Sequence, residues 1–490
     1  MKYNSTRNKK EIVSASEAII RGIATDGGLY VPEYIPKLKN LDDLIDLDYT
    51  ELASYVLKCY FDDLGEEKIL NSAKNAYDNK FPSEVAPVMT LGKISFIELY
   101  HGRTLAFKDM ALSILPHLLK ASLEQNDDDK KIIILVATSG DTGKAALEGF
   151  NDVEGINVIV YFPDGGVSEV QRLQMLTHAG RNTDVVAIDG NFDDAQTGVK
   201  EIFTDEEFKE RILKRGYEFS SANSINIGRL VPQIIYYINS YLRLVQKGII
   251  VKGSSINVTV PTGNFGNLLA AYYAKEMGLP IDKLIVASND NNVLTDFFKT
   301  GEYNSNRDLL LTSSPSMDIL VSSNLERFLY HISNGDSVKI SEAMESLKQN
   351  KSYNWDEFSD FVYAGYANED HISNAIASVF KEYGYTMDPH TAVAYYVANE
   401  YIESTGDNTH MLIASTASPF KFPAKVLDSL GEEIPDDEFE SLELLSEKTG
   451  LEIPESLFKL RMLPVVHKRN CKPNQMRDTI LEITEEKSKC

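Results

Sequence analysis

The chain has 490 residues, of which 43% are hydrophobic and 25% charged, the proportions of an ordinary folded protein with room for two or more domains. A formal net charge of −24 excludes a broad nucleic-acid or anionic-membrane surface, although a local pocket can still accept an anion. Three cysteines, Cys59, Cys471 and Cys490, without CxxC spacing, and eight scattered histidines suggest neither a disulfide framework nor structural zinc, and the expected compartment is cytoplasmic.

Met1–Lys10 is basic but leads into no apolar core, so it does not read as a secretory signal. Residues 1–80 read as a helical N-terminal domain, with helical spacing over Ser16–Ile23 and Tyr49–Phe61 around the turn Asp26-Gly27-Gly28. The stretch Glu98–Met110 sets Lys108 between a polar turn, His101–Thr104, and an apolar helical run from Met110 to Leu119. A lysine at such a junction, if desolvated, becomes a neutral nucleophile toward a carbonyl; the plain alternative is a solvated lysine ahead of a helix.

From about residue 83 the texture changes, with β-branched runs at Ile132–Ala137, Val158–Phe162, Asp184–Ile188, Ile256–Val260, Leu284–Ala287 and Met411–Ala414. The longest, Ile132–Ala137, is far short of a membrane span. Apolar strands alternating with helical patterns predict an α/β fold with parallel sheets covered on both faces, and ligands bound beyond the carboxyl ends of strands. Three such ends carry polar turns. Thr138-Ser139-Gly140-Asp141-Thr142-Gly143-Lys144 is hydroxyl-rich, yet it lacks the first glycine and the final hydroxyl of a P-loop, with Thr138 and Ala145 in those places. Pro261-Thr262-Gly263-Asn264-Phe265-Gly266-Asn267 opens a helix over Leu268–Met277 and has the form of a phosphate cradle. Ser415-Thr416-Ala417-Ser418 could set a neutral hydroxyl against a heteroaromatic nitrogen. Each of these turns also has a purely structural reading, as a cap or a tight turn.

Asn223–Arg229, ahead of a helical run over Leu230–Leu244, offers Asn226 and Arg229 as an anion site, with capping as the alternative. Ser168–Leu176, with Glu169, Gln171 and Arg172, reads as a solvated helix face, and residues 426–490 as a helical tail without a chemical signal. A lysine, a phosphate cradle and hydroxyl-lined strand ends on one parallel scaffold suit a cofactor with an aldehyde, a phosphate and a pyridine nitrogen. Pyridoxal 5′-phosphate has that set, with Lys108 as its covalent anchor.

Glu98–Asp109, Thr138–Gly143 and Pro261–Asn267, with Asp26–Pro32, Val167–Gln174 and Asn223–Asn226, together resemble the threonine synthase family, in its longer, microbial-type branch. The resemblance runs over about residues 1–425. It implies a fold-type II (tryptophan synthase β-like) enzyme with a PLP-binding catalytic region over 81–425 in two interleaved lobes. It also implies conversion of O-phospho-L-homoserine and water to L-threonine and phosphate, the last step of threonine biosynthesis. By position Lys108 would carry the cofactor and act as the base. Gly263, Asn264, Phe265, Gly266 and Asn267 would bind its phosphate, Thr416 would face its pyridine nitrogen, and Asp141 would lie near its phenolic oxygen. Ser139, Gly140 and Thr142 would hold the substrate, and Arg229, Arg103 and Lys144 are candidate cations for its phosphate. The chain departs from the family pattern at Arg103, Ser418 and Phe420, where proline, histidine and alanine are usual. No nucleic acid, membrane or metal partner is expected, and neither monomer nor homodimer is specified. A dehydratase of the same fold type, or a relative that cleaves the phosphorylated substrate without completing the exchange, remains an alternative reading.

Overall fold

Runs of Ile, Val and Leu bounded by turn residues can bury both faces only within a covered parallel sheet. In the computed structural model, which describes residues 1–138, 140–165 and 167–488 (for Asp141 the backbone only), all six predicted runs lie in such sheets. The larger sheet has the order Val362–Tyr366, Ile281–Ser288, Ile256–Pro261, His410–Ser415, Ile94–Glu98, Val88–Leu91. Its pairs are parallel except the last. The smaller sheet, ordered Arg469–Cys471, Thr183–Ile188, Ile156–Pro163, Lys131–Ala137, Tyr217–Ser220, is parallel throughout. The chain enters the larger sheet, crosses to the smaller, and returns, so the two lobes interleave in sequence.

The helix Pro232–Gln246 is buried on nearly every face and packed against the helices Tyr49–Tyr60 and Gly266–Met277. A helix apolar all round needs such a position. The predicted run Leu230–Leu244 is in fact two helices, Ile227–Leu230 and Pro232–Gln246. Pro232, lacking an N–H, starts the second one.

The N-terminal region carries the expected helices, at Ala15–Arg21 and Tyr49–Tyr60, and a further one at Glu66–Tyr77. It also holds an antiparallel sheet of Ile12–Ser14, Lys2–Ser5 and Tyr30–Pro32, strands of three or four residues too short to show a period. Arg327, fully buried, fastens this sheet to the larger lobe: it donates to Tyr30 O at 2.9 Å, Ile225 O at 2.6 Å and Asn324 Oδ1 at 2.6 Å. Beside it Glu326 accepts two hydrogen bonds from Arg7, at 2.9 and 2.8 Å.

The tail is more than helical. After the helix Glu438–Thr449, residues Arg469–Cys471 extend the edge of the smaller sheet, and the helix Met476–Ser488 buries Met476, Ile480 and Ile483 against that lobe.

Candidate active site

Three strand ends and one helix start converge. Lys108 opens the short helix Lys108–Leu112, which packs against the helices Asp141–Gly149 and Ile227–Leu230. The turn before it is rigid. Asp109, the next residue, reaches back to accept from Thr104 N at 2.8 Å and Thr104 Oγ1 at 2.5 Å. Only glycine fits at 102, where a Cβ would lie 2.4 Å from Asp109 Oδ2, and Leu105 holds a left-handed φ of 60°. Burial pushes the Asp109 carboxyl up to about 6, against the opposing pull of the Thr104 hydrogen bonds.

The turn is sewn to the end of the central strand His410–Ser415. Phe107 N donates to Thr416 O at 2.8 Å, Ser418 N donates to Leu105 O at 3.0 Å, and Ala106 and Ala417 form a bridge. Thr416 is thus buried one residue away from the anchor of Lys108. Ser418 accepts from Phe420 N at 3.3 Å to cap the next turn, and Phe420 is buried in the larger lobe, so both unusual residues are absorbed by packing.

At the end of Ile256–Pro261, Gly263 passes so close to the segment Pro315–Met317 that a Cβ would lie 2.6 Å from Ser316 O. Phe265 adopts a left-handed φ of 63°, and Gly266 and Asn267 begin a helix of 12 residues whose first N–H groups lack intrahelical partners. Asn264 O accepts from Asn324 N at 3.1 Å, which ties the turn to the Arg327 junction. Asn267 Oδ1 accepts from the Tyr236 and Tyr237 hydroxyls, while its amide nitrogen is buried without a protein partner. A glycine held against backbone, a helix start and an orphaned buried donor are the features a phosphate group requires. With a lysine nearby, the residues fit a phosphate-bearing aldehyde.

On the smaller lobe, Thr138 Oγ1 accepts from Gly140 N at 2.9 Å and Gly143 N at 3.1 Å, which shapes the loop before Asp141–Gly149. Gly140 has φ +144°, and a Cβ there would meet Gln171 Cδ at 2.4 Å. Gln171 therefore lies against this loop rather than on a solvated face, and the sequence reading of it is corrected. Thr142 sits in the first turn of that helix. Ser139 and the Asp141 side chain lie outside the described residues.

The candidate cations separate into two groups. Lys144 Nζ lies 2.6 Å and Arg103 Nη1 3.5 Å from the carboxylate of Glu148, which His178 Nδ1 also approaches at 3.4 Å. Burial would raise the Glu148 carboxyl; the His178 hydrogen bond and the charges of Lys144 and His178 outweigh it and hold the group well below the usual carboxylate range. Arg229, in contrast, is buried, donates to Ala222 O at 2.7 Å, and has no ion pair among the described residues; burial pushes its guanidinium down to about 10. Asn226 caps Gly228 N at 2.9 Å and donates to Ile19 O at 3.0 Å and Ser221 O at 3.1 Å, so its side chain joins the N-terminal region to the catalytic lobes.

Sequence reasoning missed Ser316, which meets Lys108, and the pair Asp388–His390, which meets Ser316. Lys108 Nζ lies 3.3 Å from Ser316 Oγ, and Ser316 N donates to His390 Nε2 at 3.2 Å. Asp388-Pro389-His390 carries a legible helix-start signal, an N-cap aspartate followed by proline, but nothing in it points to a lysine 280 positions away.

Known proteins carry the same architecture. A family model for the threonine synthase N terminus matches residues 2–77, one for pyridoxal-phosphate dependent enzymes matches 92–415, and one for the threonine synthase C-terminal region matches 391–454. The human protein "Threonine synthase-like 1" is 42% identical over 435 residues, 85% of this chain; the chain spans 58% of that relative's length. Threonine synthase of Pseudomonas aeruginosa is 37% identical over 439 residues, covering 87% of this chain and 90% of the relative. The crystal structure of PLP-bound threonine synthase from Brucella melitensis superposes with a TM-score of 0.88 at 32% identity, covering 100% of both chains. The chain therefore belongs to the threonine synthase family of pyridoxal-phosphate-dependent enzymes.

Proposed function

We propose that this chain converts O-phospho-L-homoserine and water to L-threonine and phosphate, with pyridoxal 5′-phosphate held on Lys108. One observation carries the reading: Lys108 Nζ lies 3.3 Å from Ser316 Oγ, while Ser316 O abuts Gly263 of the phosphate cradle, so amine and cradle share one wall. Bound pyridoxal phosphate supplies an electron sink that makes protons on the substrate's Cα and Cβ removable.

The remaining work falls to the chain. The turn Gly263–Asn267, through its backbone donors and the Asn267 amide, would hold the cofactor phosphate, and Thr416 would offer the pyridine nitrogen a neutral hydroxyl. The Lys108 amine would take protons from Cα and Cβ, return one to Cγ after phosphate has left, and take a proton from the water that adds at Cβ as one returns to Cα; one mobile amine covers that short path. The loop Ser139–Thr142 would bind the substrate carboxylate, and Asp141 would be the partner of the cofactor's phenolic oxygen. Lys144 and Arg103 are the cations for the leaving phosphate, Glu148 keeping them gathered. Asn226 and Arg229 act by fixing the floor of the site. The division into a domain over 1–80, a catalytic region over 81–425 and a tail over 426–490 follows the same reading. Among the described residues no helix is long and apolar enough to cross a membrane. Cys59 and Cys471 are unpaired there, in keeping with work in the cytoplasm.

The test is an assay of the purified protein, supplied with pyridoxal phosphate, on O-phospho-L-homoserine, with serine and threonine as competing substrates. The expected result is phosphate and threonine in equal amounts and little 2-oxo acid from serine. Phosphate with 2-oxobutyrate in place of threonine would reject the full exchange in favour of a diverted lyase.

A further inference from the structure

A lysine that collects a proton at one carbon and delivers it at another needs its amine held on a flexible four-carbon stem. Ser316 Oγ accepts from Lys108 Nζ at 3.3 Å and is one of the groups the amine meets. Ser316 is itself fixed from three sides. Its N–H donates to His390 Nε2 at 3.2 Å, its carbonyl oxygen abuts Gly263, and its segment is pinned through Asp318. Asp318 accepts from Asn289 at 2.8 Å, Asn291 at 2.9 Å and Thr312 Oγ1 at 2.7 Å.

His390 is 3% exposed and Asp388 1%, so their geometry is protected from water. Because Nε2 accepts from a backbone N–H, the ring's proton sits on Nδ1, which donates to Asp388 Oδ2 at 2.7 Å. Asp388 also accepts from Thr391, whose hydroxyl meets Ser415 Oγ at 2.9 Å. Ser415 adjoins Thr416, which anchors Phe107 N. The contacts thus run from the Lys108 amine round to the backbone of Phe107, its neighbour in sequence.

We propose that Ser316 is a positioning residue for Lys108, and that the buried Asp388–His390 pair keeps Ser316 in place. The proposal rests on Lys108 being the reacting amine; it adds that the amine's basicity and aim depend in part on the Ser316 hydroxyl. An ammonium gains more from a hydroxyl acceptor than a neutral amine does, so losing it lowers the pH at which Lys108 deprotonates.

The experiment is competitive acetylation of the full-length, cofactor-free chain across pH, with Lys108 followed by mass spectrometry, alongside steady-state kinetics of the holoenzyme. Ser316→Ala is expected to lower the half-labelling pH of Lys108 by about half a unit or more. It should also reduce kcat about tenfold while KM changes less than about threefold. Ser316→Thr, which keeps a hydroxyl, restores both. His390→Leu reproduces Ser316→Ala, whereas His390→Asn, which keeps an acceptor for Ser316 N, stays nearer the wild type. An unchanged half-labelling pH in Ser316→Ala, or a threonine variant that behaves like alanine, overturns the role of the hydroxyl. A wild-type midpoint in His390→Leu overturns the role of the pair. If the cofactor proves not to attach to Lys108, the functional reading falls, but the acetylation still reports on Ser316.

Discussion

Asp109 shows how one buried side chain links the catalytic turn to stability. It holds the Thr104 backbone and hydroxyl, and burial pushes its carboxyl up to about 6 from the ordinary value near 3.8. The folded chain therefore keeps this proton more tightly than the unfolded chain, so the contribution to stability falls as pH rises from about 4 to about 6 and is level above. A shift of about two units corresponds to about 3 kcal/mol. Relative to Asp109→Asn, the wild-type unfolding free energy should accordingly drop by about 2–3 kcal/mol between pH 4 and pH 7, as read by urea denaturation. A difference that stays flat over that range would mean that Asp109 is ionised in the fold at ordinary values. At this scale the places of Lys108, at a helix start, and Thr416, just past a strand end, were legible, because each stands beside a strand or helix signal within a few residues. Ser316 and His390 were not, since a serine in a turn and a histidine after a proline acquire a role only when two distant loops meet.

At the scale of the element, the cradle Gly263–Asn267 rests on a close approach rather than on composition. A Cβ at Gly263 would come within 2.6 Å of Ser316 O, a backbone atom that cannot rotate away. Gly263→Ala should push the two turns apart at a cost of about 1–3 kcal/mol. Cofactor affinity should weaken about 10- to 100-fold while the far-ultraviolet circular dichroism stays that of the wild type. An affinity within about twofold of the wild type would show that the turn has slack and is not a fitted cradle. The strands that framed this turn were readable because a run such as Ile256–Pro261 is buried on both faces and so carries no polar alternation. Val362–Tyr366, Tyr217–Ser220 and Arg469–Cys471 escaped because they lie at sheet edges, short and mixed in polarity. Gln171 was misread for a related reason: its helix spacing is that of a solvated face, and only the fold brings Gly140 against it.

Over the whole molecule, the N-terminal sheet and the catalytic turns form one connected support. Arg327 joins Tyr30 of that sheet to Asn324, and Asn324 N holds Asn264 O in the cradle. A fully buried guanidinium is costly unless its donors are used, and here Tyr30, Ile225 and Asn324 take them. The N-terminal region is thereby a structural partner of the site, which its helical patterning alone did not convey. The central claim is that all this architecture presents one lysine to one aldehyde. Its most direct test is to load the protein with pyridoxal phosphate, reduce it with borohydride, and map the pyridoxyl group by peptide mass spectrometry. The account predicts one modified site, Lys108, with no incorporation there in Lys108→Ala; modification of a different lysine, or none at all, would contradict it.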